Sequence, residues 1–466
     1  MESSDVTKET TMIEIPARNN INVLPPKYQI QYLPFSVLRY LTGGQVTEKY
    51  ERKPDVVAIE WNSAIDLLHI KDWRIVKKVG DAIWKEVIKT KNMLPSLMTT
   101  PTAVVIIEEA RKRIERLLDV DKRKRVMFIK DTTGCGYWRM VYPARYMDEK
   151  KYIIDCNEVE VMYDFLLEYD TIVVQRIHRW DQYYVLEKLV KNGKKVIYDI
   201  DDDIFSIPFG SPGFEHIKLS VDNLEAARAI MDVCSRIVTP SSIIAERFGH
   251  QAKTVVIPNA LDLDDGWPQF KGIDSVDDAQ FTSPDGVRRI LWQGSITHEV
   301  DWNQCIDAVD EVLKKHDDVN VAILGLLPRC IRERLESGVP HWVNRVEYCG
   351  FNDIETYVSI LKQIRAEVAI APLQATPFNE AKSCLKFVEY AAIGAPTVAS
   401  NVTPYKEVIK NGKNGFLAST KDEWVEHIEL LLEGGQTRLD VIKAARKTVS
   451  DDFNIRSVVQ QWEDLL

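Results

Sequence analysis

The chain has few cysteines and no pattern among them. Seven occur in 466 residues, at positions 135, 156, 234, 305, 330, 349 and 384, with no CxxC pair. An odd, scattered set of this kind excludes a disulfide scaffold and a cysteine zinc site, and it fits a reducing compartment. Long apolar runs are also missing. Residues 103–107 (AVVII) are typical of the longest, far short of the ~18 needed to span a bilayer. The polar start MESSDVTKETTMIEIP lacks the apolar core of a signal peptide, so the expected location is the cytoplasm. An excess of positive charge is absent too: 60 Lys and Arg against 70 Asp and Glu leave a net charge of −10. That disfavours a globally basic nucleic-acid binder. Neither internal repeats nor low-complexity tracts stand out. What remains is the composition of a soluble globular protein, 45% hydrophobic and 28% charged, long enough for about three domains.

From residue 124 onward, short β-type runs alternate with helix-length amphipathic stretches. Strands are expected at 125–130, 171–175, 195–199, 236–239 and 254–257, with helices over 180–192 and 220–233. Residues 262–288, rich in Asp, Gly, Pro and Ser, read as a linker. A second series follows, with strands at 289–293, 319–324, 345–348, 367–371 and 396–399. Such alternation means βαβ units on parallel sheets. The predicted fold is therefore α/β, with two doubly wound Rossmann-like domains facing a cleft. Ligands should collect at the strands' carboxyl ends. The boundaries expected are a mostly helical extension over 1–123, a first domain over 124–265, a linker over 266–288, a second domain over 289–445 and a terminal helix over 446–466. The extension should hold helices around 62–92 and 101–118, the latter opened by Thr100 and Pro101. Nine Lys or Arg against three Asp or Glu between 111 and 130 form the one obvious basic cluster, which a solvated helix face plus junction explains better than a phosphate-binding patch does.

The richest segment is 378–400, FNEAKSCLKFVEYAAIGAPTVAS. Read as one helix ended by Gly394 and Pro396, it places Lys382, Lys386 and Glu389 within an arc of about 60°. Its first turn offers unpaired N–H groups to a diphosphate, and the carboxylate farther along can accept from ribose hydroxyls. The bland alternative is an exposed stripe with a weak Lys386–Glu389 pair.

This segment resembles the donor-binding signature of retaining GT-B glycosyltransferases, family 4 in particular. There an E-x7-E motif ends in a helix similar to residues 389–400. The resemblance implies that Glu389 contacts the donor ribose. The first Glu of the motif falls at Ala381, with Glu380 one residue early, so the chain is more similar to a variant subgroup reading N-x-A-K-S-x-x-K-x-x-E-Y. Lys382, Ser383 and Lys386 fill that pattern, the two lysines as the cationic clamp on the leaving diphosphate. Residues 257–262 (IPNALD) resemble the family's PNGVD element. Residues 293–301 (QGSITHEVD) stand at its glycine loop, whose usual Arg and Lys are missing; Gly294, Ser295 and His298 are the donor-binding candidates there.

In the first domain, Gly134 and Gly136 flank Cys135 after the opening strand, where backbone N–H groups can approach a phosphate or sugar. A tight βα connection explains the same triplet. Arg139, His178, Asp201 and Asp202 are acceptor-side candidates. The acidic run 199–203 (DIDDD) can orient an acceptor hydroxyl, take its proton, or mimic the metal-binding DxD of other glycosyltransferases. The expected activity is transfer of a sugar from a nucleotide-diphosphate sugar to a saccharide or small-molecule hydroxyl, with retention of configuration and no cofactor or metal. DNA carrying hydroxymethylated bases is the alternative acceptor, since the GCGYWR and YDIDDDIF stretches also resemble phage-encoded members. A non-catalytic nucleotide-sugar-binding module is the third reading.

Overall fold

The computed structural model describes residues 29–33, 57–60, 123–131, 134–158, 160–209, 214, 219–248, 253–263, 267 and 285–466. The chain divides into two compact units, Met1–Asp121 and Lys122–Leu466. In the first, strands β1 (Gln29–Leu33) and β2 (Val57–Glu60) pair antiparallel. The helices expected at 62–92 and 101–118 lie outside the described residues. So does most of the linker at 262–288, and so does the basic cluster as far as residue 122.

The second unit carries two six-stranded sheets, every pairing in them parallel. The first sheet comprises β3 (Lys124–Ile129), β4 (Tyr152–Asn157), β5 (Thr171–Gln175), β6 (Lys195–Asp199), β7 (Arg236–Thr239) and β8 (Thr254–Val256). Its order is β4-β3-β5-β6-β7-β8. The second comprises β9 (Arg288–Gly294), β10 (Val319–Gly325), β11 (Val346–Cys349), β12 (Val368–Ala371), β13 (Thr397–Ser400) and β14 (Phe416–Ala418). Its order, β11-β10-β9-β12-β13-β14, repeats the first. These are the two doubly wound domains that the strand–helix alternation predicts.

Central strands are apolar on both faces because helices cover both. Val126, Met127 and Phe128 of β3 are fully buried, as are Ile290, Leu291 and Trp292 of β9. In the second domain Ile290 and Trp292 pack with Val309 and Val312 of the helix Ile306–Lys315 and with Trp424 and Ile428 of the helix Lys421–Glu433. Leu291 faces the other way, into a cluster with Phe387 and Val388 of the helix Leu385–Ile393.

The helix Ile455–Glu463 lies on the first domain. The Trp462 ring meets Phe128 edge-on, with 5.9 Å between centroids. Glu463 accepts from the Asp148 N–H at 2.8 Å and pairs with Lys151 at 3.1 Å. Lys124 Nζ reaches the Leu466 carbonyl at 3.0 Å. Burying an indole and its apolar neighbours contributes a few kcal/mol to holding that end in place.

In both sheets the direction of winding reverses beside the first strand, between β3 and β5 and between β9 and β12. Loops that leave those strands at their carboxyl ends diverge and open a crevice. Gly134, Gly136, His178, Ser295, His298, Lys382, Ser383 and Lys386 sit on or at the ends of these loops (131–136, 176–178, 295–301 and 374–386). Asp201 and Asp202 follow β6, Gly294 ends β9, and Arg139 and Glu389 lie on the helical runs Tyr137–Val141 and Leu385–Ile393.

Candidate active site

The segment after β12 is not one helix. A short turn, Pro377–Glu380, opens with Thr376, whose hydroxyl accepts from the Asn379 N–H, and with a proline at its first position. The chain then leaves the helical path at Ala381, and a new helix starts at Leu385. Lys382 and Ser383 lie in the break, so the continuous Lys382–Lys386–Glu389 stripe is corrected: only Lys386 and Glu389 share the helix. The cause is local. The Asn379 side chain turns away to donate to Asp301 Oδ1 at 2.9 Å and to the Gln374 carbonyl at 3.0 Å. Cys384 precedes the new helix without a side-chain cap, so the first-turn N–H groups of residues 385–387 are left for a ligand.

The exposed-stripe alternative fails as well. Every residue from Lys386 to Ile393 is buried. Lys386 Nζ donates to His298 Nε2 at 2.9 Å, and His298 Nδ1 lies 2.8 Å from Asp301 Oδ2. Asp301, fully buried, accepts at its other oxygen from the Gln374 N–H and from Asn379. Burial, then the neighbouring Lys382, lower the Lys386 ammonium to about 8. Burial, then Lys386 and Lys382, push the His298 imidazole down to about 4. A neutral His298 with its proton on Nδ1 satisfies both contacts: Nδ1–H donates to Asp301, and Nε2 accepts from the ammonium.

Glu389 is 2% exposed, and its Oε2 accepts from Gln293 Nε2 and from the Tyr357 hydroxyl, each at 2.9 Å. Burial raises its carboxyl to about 7, against the pull of the Tyr357 bond and Lys386. Gln293 ends the strand β9, and the loop runs on through Gly294 and the exposed Ser295 into a 3₁₀ run, Ile296–Gln304, that presents His298.

Across the crevice, Lys382 Nζ lies 3.4 Å from Asp202 Oδ1. Asp202 in turn lies 3.6 Å from Arg176, which also meets Asp131 at 2.6 Å and Asp201 at 3.3 Å. The Asp202 carboxyl is held below its usual value: Lys382, then Arg176, outweigh its burial. Arg176 adopts φ +49°, a left-handed conformation uncommon outside glycine, just after β5. Asn259 Nδ2 donates to Ser383 Oγ at 3.0 Å, and Arg247 joins Asp203 at 3.1 Å to the Pro377 carbonyl at 2.5 Å. These contacts clasp the two domains at the crevice.

The remaining first-domain candidates divide. A Cβ on Gly136 would stand 2.4 Å from the Asp131 carbonyl oxygen, so the loop needs glycine there, whereas Gly134 faces open space. Arg139 is 1% exposed and spends its guanidinium on Asp199 at 2.6 Å, the Ile257 carbonyl at 2.6 Å and Asn259 at 3.3 Å. It braces the first domain beneath the crevice. His178 is half-buried, its Nδ1 2.8 Å from the Arg176 carbonyl, where it supports the strained arginine. Asp201, Asp202 and Asp203 each face a cation, and among the described residues no cluster of three His, Cys, Asp or Glu side chains is placed to hold a metal ion.

Sequence reasoning missed Arg176, Asp301, Asn379 and Tyr357. The His298–Asp301 spacing of three residues was the available signal for one of them, and the leading Asn of the N-x-A-K-S pattern for Asn379; Arg176 and Tyr357 carry none.

Residues 275–448 match the family model for glycosyl transferases group 1. Solved structures with a similar fold include HepE of Anabaena in complex with UDP-glucose. It is 16% identical at a TM-score of 0.52, over 73% of this chain and 99% of that one. Sucrose-phosphate synthase of Thermosynechococcus elongatus is 14% identical at 0.50, over 74% and 98%. A glycosyltransferase from Rickettsia africae ESF-5 is 15% identical at 0.50, over 74% and 97%. No curated protein sequence matches the chain. The shared architecture is the GT-B fold. On that fold, residues 275–448 carry the likeness to group 1 glycosyl transferases.

Proposed function

We propose that the second domain binds the diphosphate of the donor between the first turn of Leu385–Ile393 and the two lysines, and that the sugar passes with retention of configuration to a saccharide or small-molecule hydroxyl. The observation that carries the reading is Lys386: a buried cation at an uncapped helix start, beside a second lysine, where the second sheet's winding reverses. Breaking the glycosidic bond develops negative charge on the leaving diphosphate, and preorganised cations aimed there supply the largest electrostatic contribution to rate. Glu389, one turn along, is suited to accept from the ribose hydroxyls. Lys382 has Asp202 as its counter-ion, which a bound diphosphate would replace. Phosphate charge met by lysines and N–H groups needs no metal or other cofactor.

The acceptor belongs on the first domain, where Asp131, Arg176, Asp201 and Asp202 line the crevice and can orient a hydroxyl. No helix among the described residues is long and apolar enough to cross a membrane. All seven cysteines are free thiols, which fits a reducing compartment such as the cytoplasm.

A panel of nucleotide sugars, with UDP-glucose first because HepE binds it, should yield at least one that raises the melting temperature by mass action. Labelled donor is then offered to an oligosaccharide panel and to hydroxymethylated DNA at ~50 and ~200 mM salt. Label entering saccharides with little salt dependence is expected. Label entering DNA, falling steeply with salt, would replace the saccharide reading with the DNA one. Donor binding without transfer or donor hydrolysis would leave a binding module.

A further inference from the structure

We infer that Asp301 is a positioning residue of the donor site, setting the tautomer of His298 so that Nε2 accepts from Lys386 and aims its ammonium. The inference rests on the proposed donor role of Lys386 and names what holds that lysine in place. Asp301 has no exposure to solvent and uses both oxygens: Oδ2 accepts from the His298 Nδ1–H, while Oδ1 accepts from the Gln374 N–H and the Asn379 amide. One carboxylate thereby ties the 3₁₀ run Ile296–Gln304, the loop after β12 and the turn Pro377–Glu380, the three pieces of backbone around the lysines. A neutral imidazole whose Nδ1–H is engaged by a carboxylate presents a bare Nε2. That bare nitrogen is the acceptor 2.9 Å from Lys386 Nζ. Turned to the other tautomer, His298 would point an N–H at an ammonium, and Lys386 would be repelled from its present position.

The groups facing Lys386 are His298 and Asp301 from the 3₁₀ run, Lys382 from the preceding break, Glu389 from its own helix and Asp202 from the first domain. Asp301 raises the Lys386 pKa against its burial and Lys382. Removing the Asp301 charge therefore lowers that pKa and moves the alkaline limit of activity to lower pH.

Asp301→Asn keeps the shape and inverts one hydrogen bond. The amide keeps its oxygen on the two donors, the Gln374 N–H and Asn379, and turns its NH₂ to His298 Nδ1, which must then accept. The first readout is independent of turnover. Nitrogen-15 NMR of the imidazoles, with His298 identified by its loss in His298→Gln, should show Nδ1 protonated and Nε2 bare at pH 7, and the reverse in Asp301→Asn. The second readout is kinetic, with UDP-glucose or whichever panel donor is turned over. Asp301→Asn should lower kcat ~10-fold or more with KM changed less than ~3-fold, and its alkaline limb should move down in pH. His298→Gln offers Lys386 an amide oxygen whatever stands at 301. In that background Asp301→Asn should change kcat by less than ~3-fold. A cationic or Nε2-protonated His298 in the wild type overturns the inference, as does an equal kcat loss in both backgrounds or an unmoved alkaline limb. Should Asp301→Asn not fold, the wild-type tautomer decides: Nδ1 protonated with Nε2 bare would support the role, and an Nε2-protonated or cationic ring would refute it. If no nucleotide sugar binds, the functional reading fails, while the tautomer and its reversal still report on Asp301.

Discussion

Replacing Lys386 with methionine should make the protein more stable and nearly inactive at once. The fold holds this ammonium 8% exposed and depresses it from the usual 10.5 to about 8. A displacement of that size corresponds to about 3 kcal/mol of cost for keeping the charged form buried, at 1.36 kcal/mol per pH unit. The sign follows from linkage. A lysine whose folded pKa is depressed costs stability below pH 8, and the cost fades as pH rises from 8 toward 10.5, where the unfolded chain also gives up its proton. Methionine fills nearly the same space without charge. Against the gain stands the His298 Nε2 acceptor, left unpaired at about 1–2 kcal/mol. The net expectation at pH 7 is stabilisation by about 1–2 kcal/mol, read as a rise of a few degrees in melting temperature. Turnover should fall ~10²-fold or more, since the charge that meets the leaving diphosphate is gone. The assay pairs thermal unfolding at pH 7 and pH 10 with donor turnover at pH 7. The stability gap to wild type should narrow at the higher pH. A variant that is destabilised by more than about 2 kcal/mol, or that retains wild-type turnover, would refute the reasoning.

Asp202→Asn removes the carboxylate 3.4 Å from Lys382, so calorimetry should find UDP-glucose, or whichever panel donor binds, held ~5- to 10-fold more tightly, at the expense of acceptor use. Glu389→Gln keeps an oxygen for Gln293 and Tyr357 but loses the charged acceptor. Steady-state kinetics should show donor KM raised ~10-fold with kcat nearly kept, a loss of about 1.4 kcal/mol of binding. The same variant should unfold at higher temperature than wild type above pH 7 and lose that advantage as pH falls toward 4.5, because a buried carboxyl raised to about 7 costs stability only where it is ionised. Turnover should survive EDTA; loss in chelator restored by Mn²⁺ or Mg²⁺ would assign Asp201 and Asp203 to a metal instead.

The architecture was legible in the sequence because central strands of covered parallel sheets are apolar throughout. The runs at 171–175, 195–199 and 236–239 announce themselves without help from their neighbours, and they are strands with those bounds. What escaped notice were edges. β4, mixed polar and apolar, and β14, three residues long, close one side of each sheet, where a single neighbour supplies the pairing and little periodicity is required. Within the site, Lys386 and Glu389 could be read from local pattern because they lie on one continuous helix, where spacing dictates direction. Lys382 could not, since the periodicity argument assumes an unbroken helix. The break depends on Asn379 finding Asp301, a residue 78 positions earlier in the chain. The same holds for Arg139, whose charge looks available in sequence and is consumed by Asp199, Ile257 and Asn259 only when three strands' ends converge. Burial is decided in the same way. A lysine on a helix reads as solvated until the sheet, the 3₁₀ run and the first domain close around it, and desolvation is a property of all those neighbours together rather than of any stretch of chain.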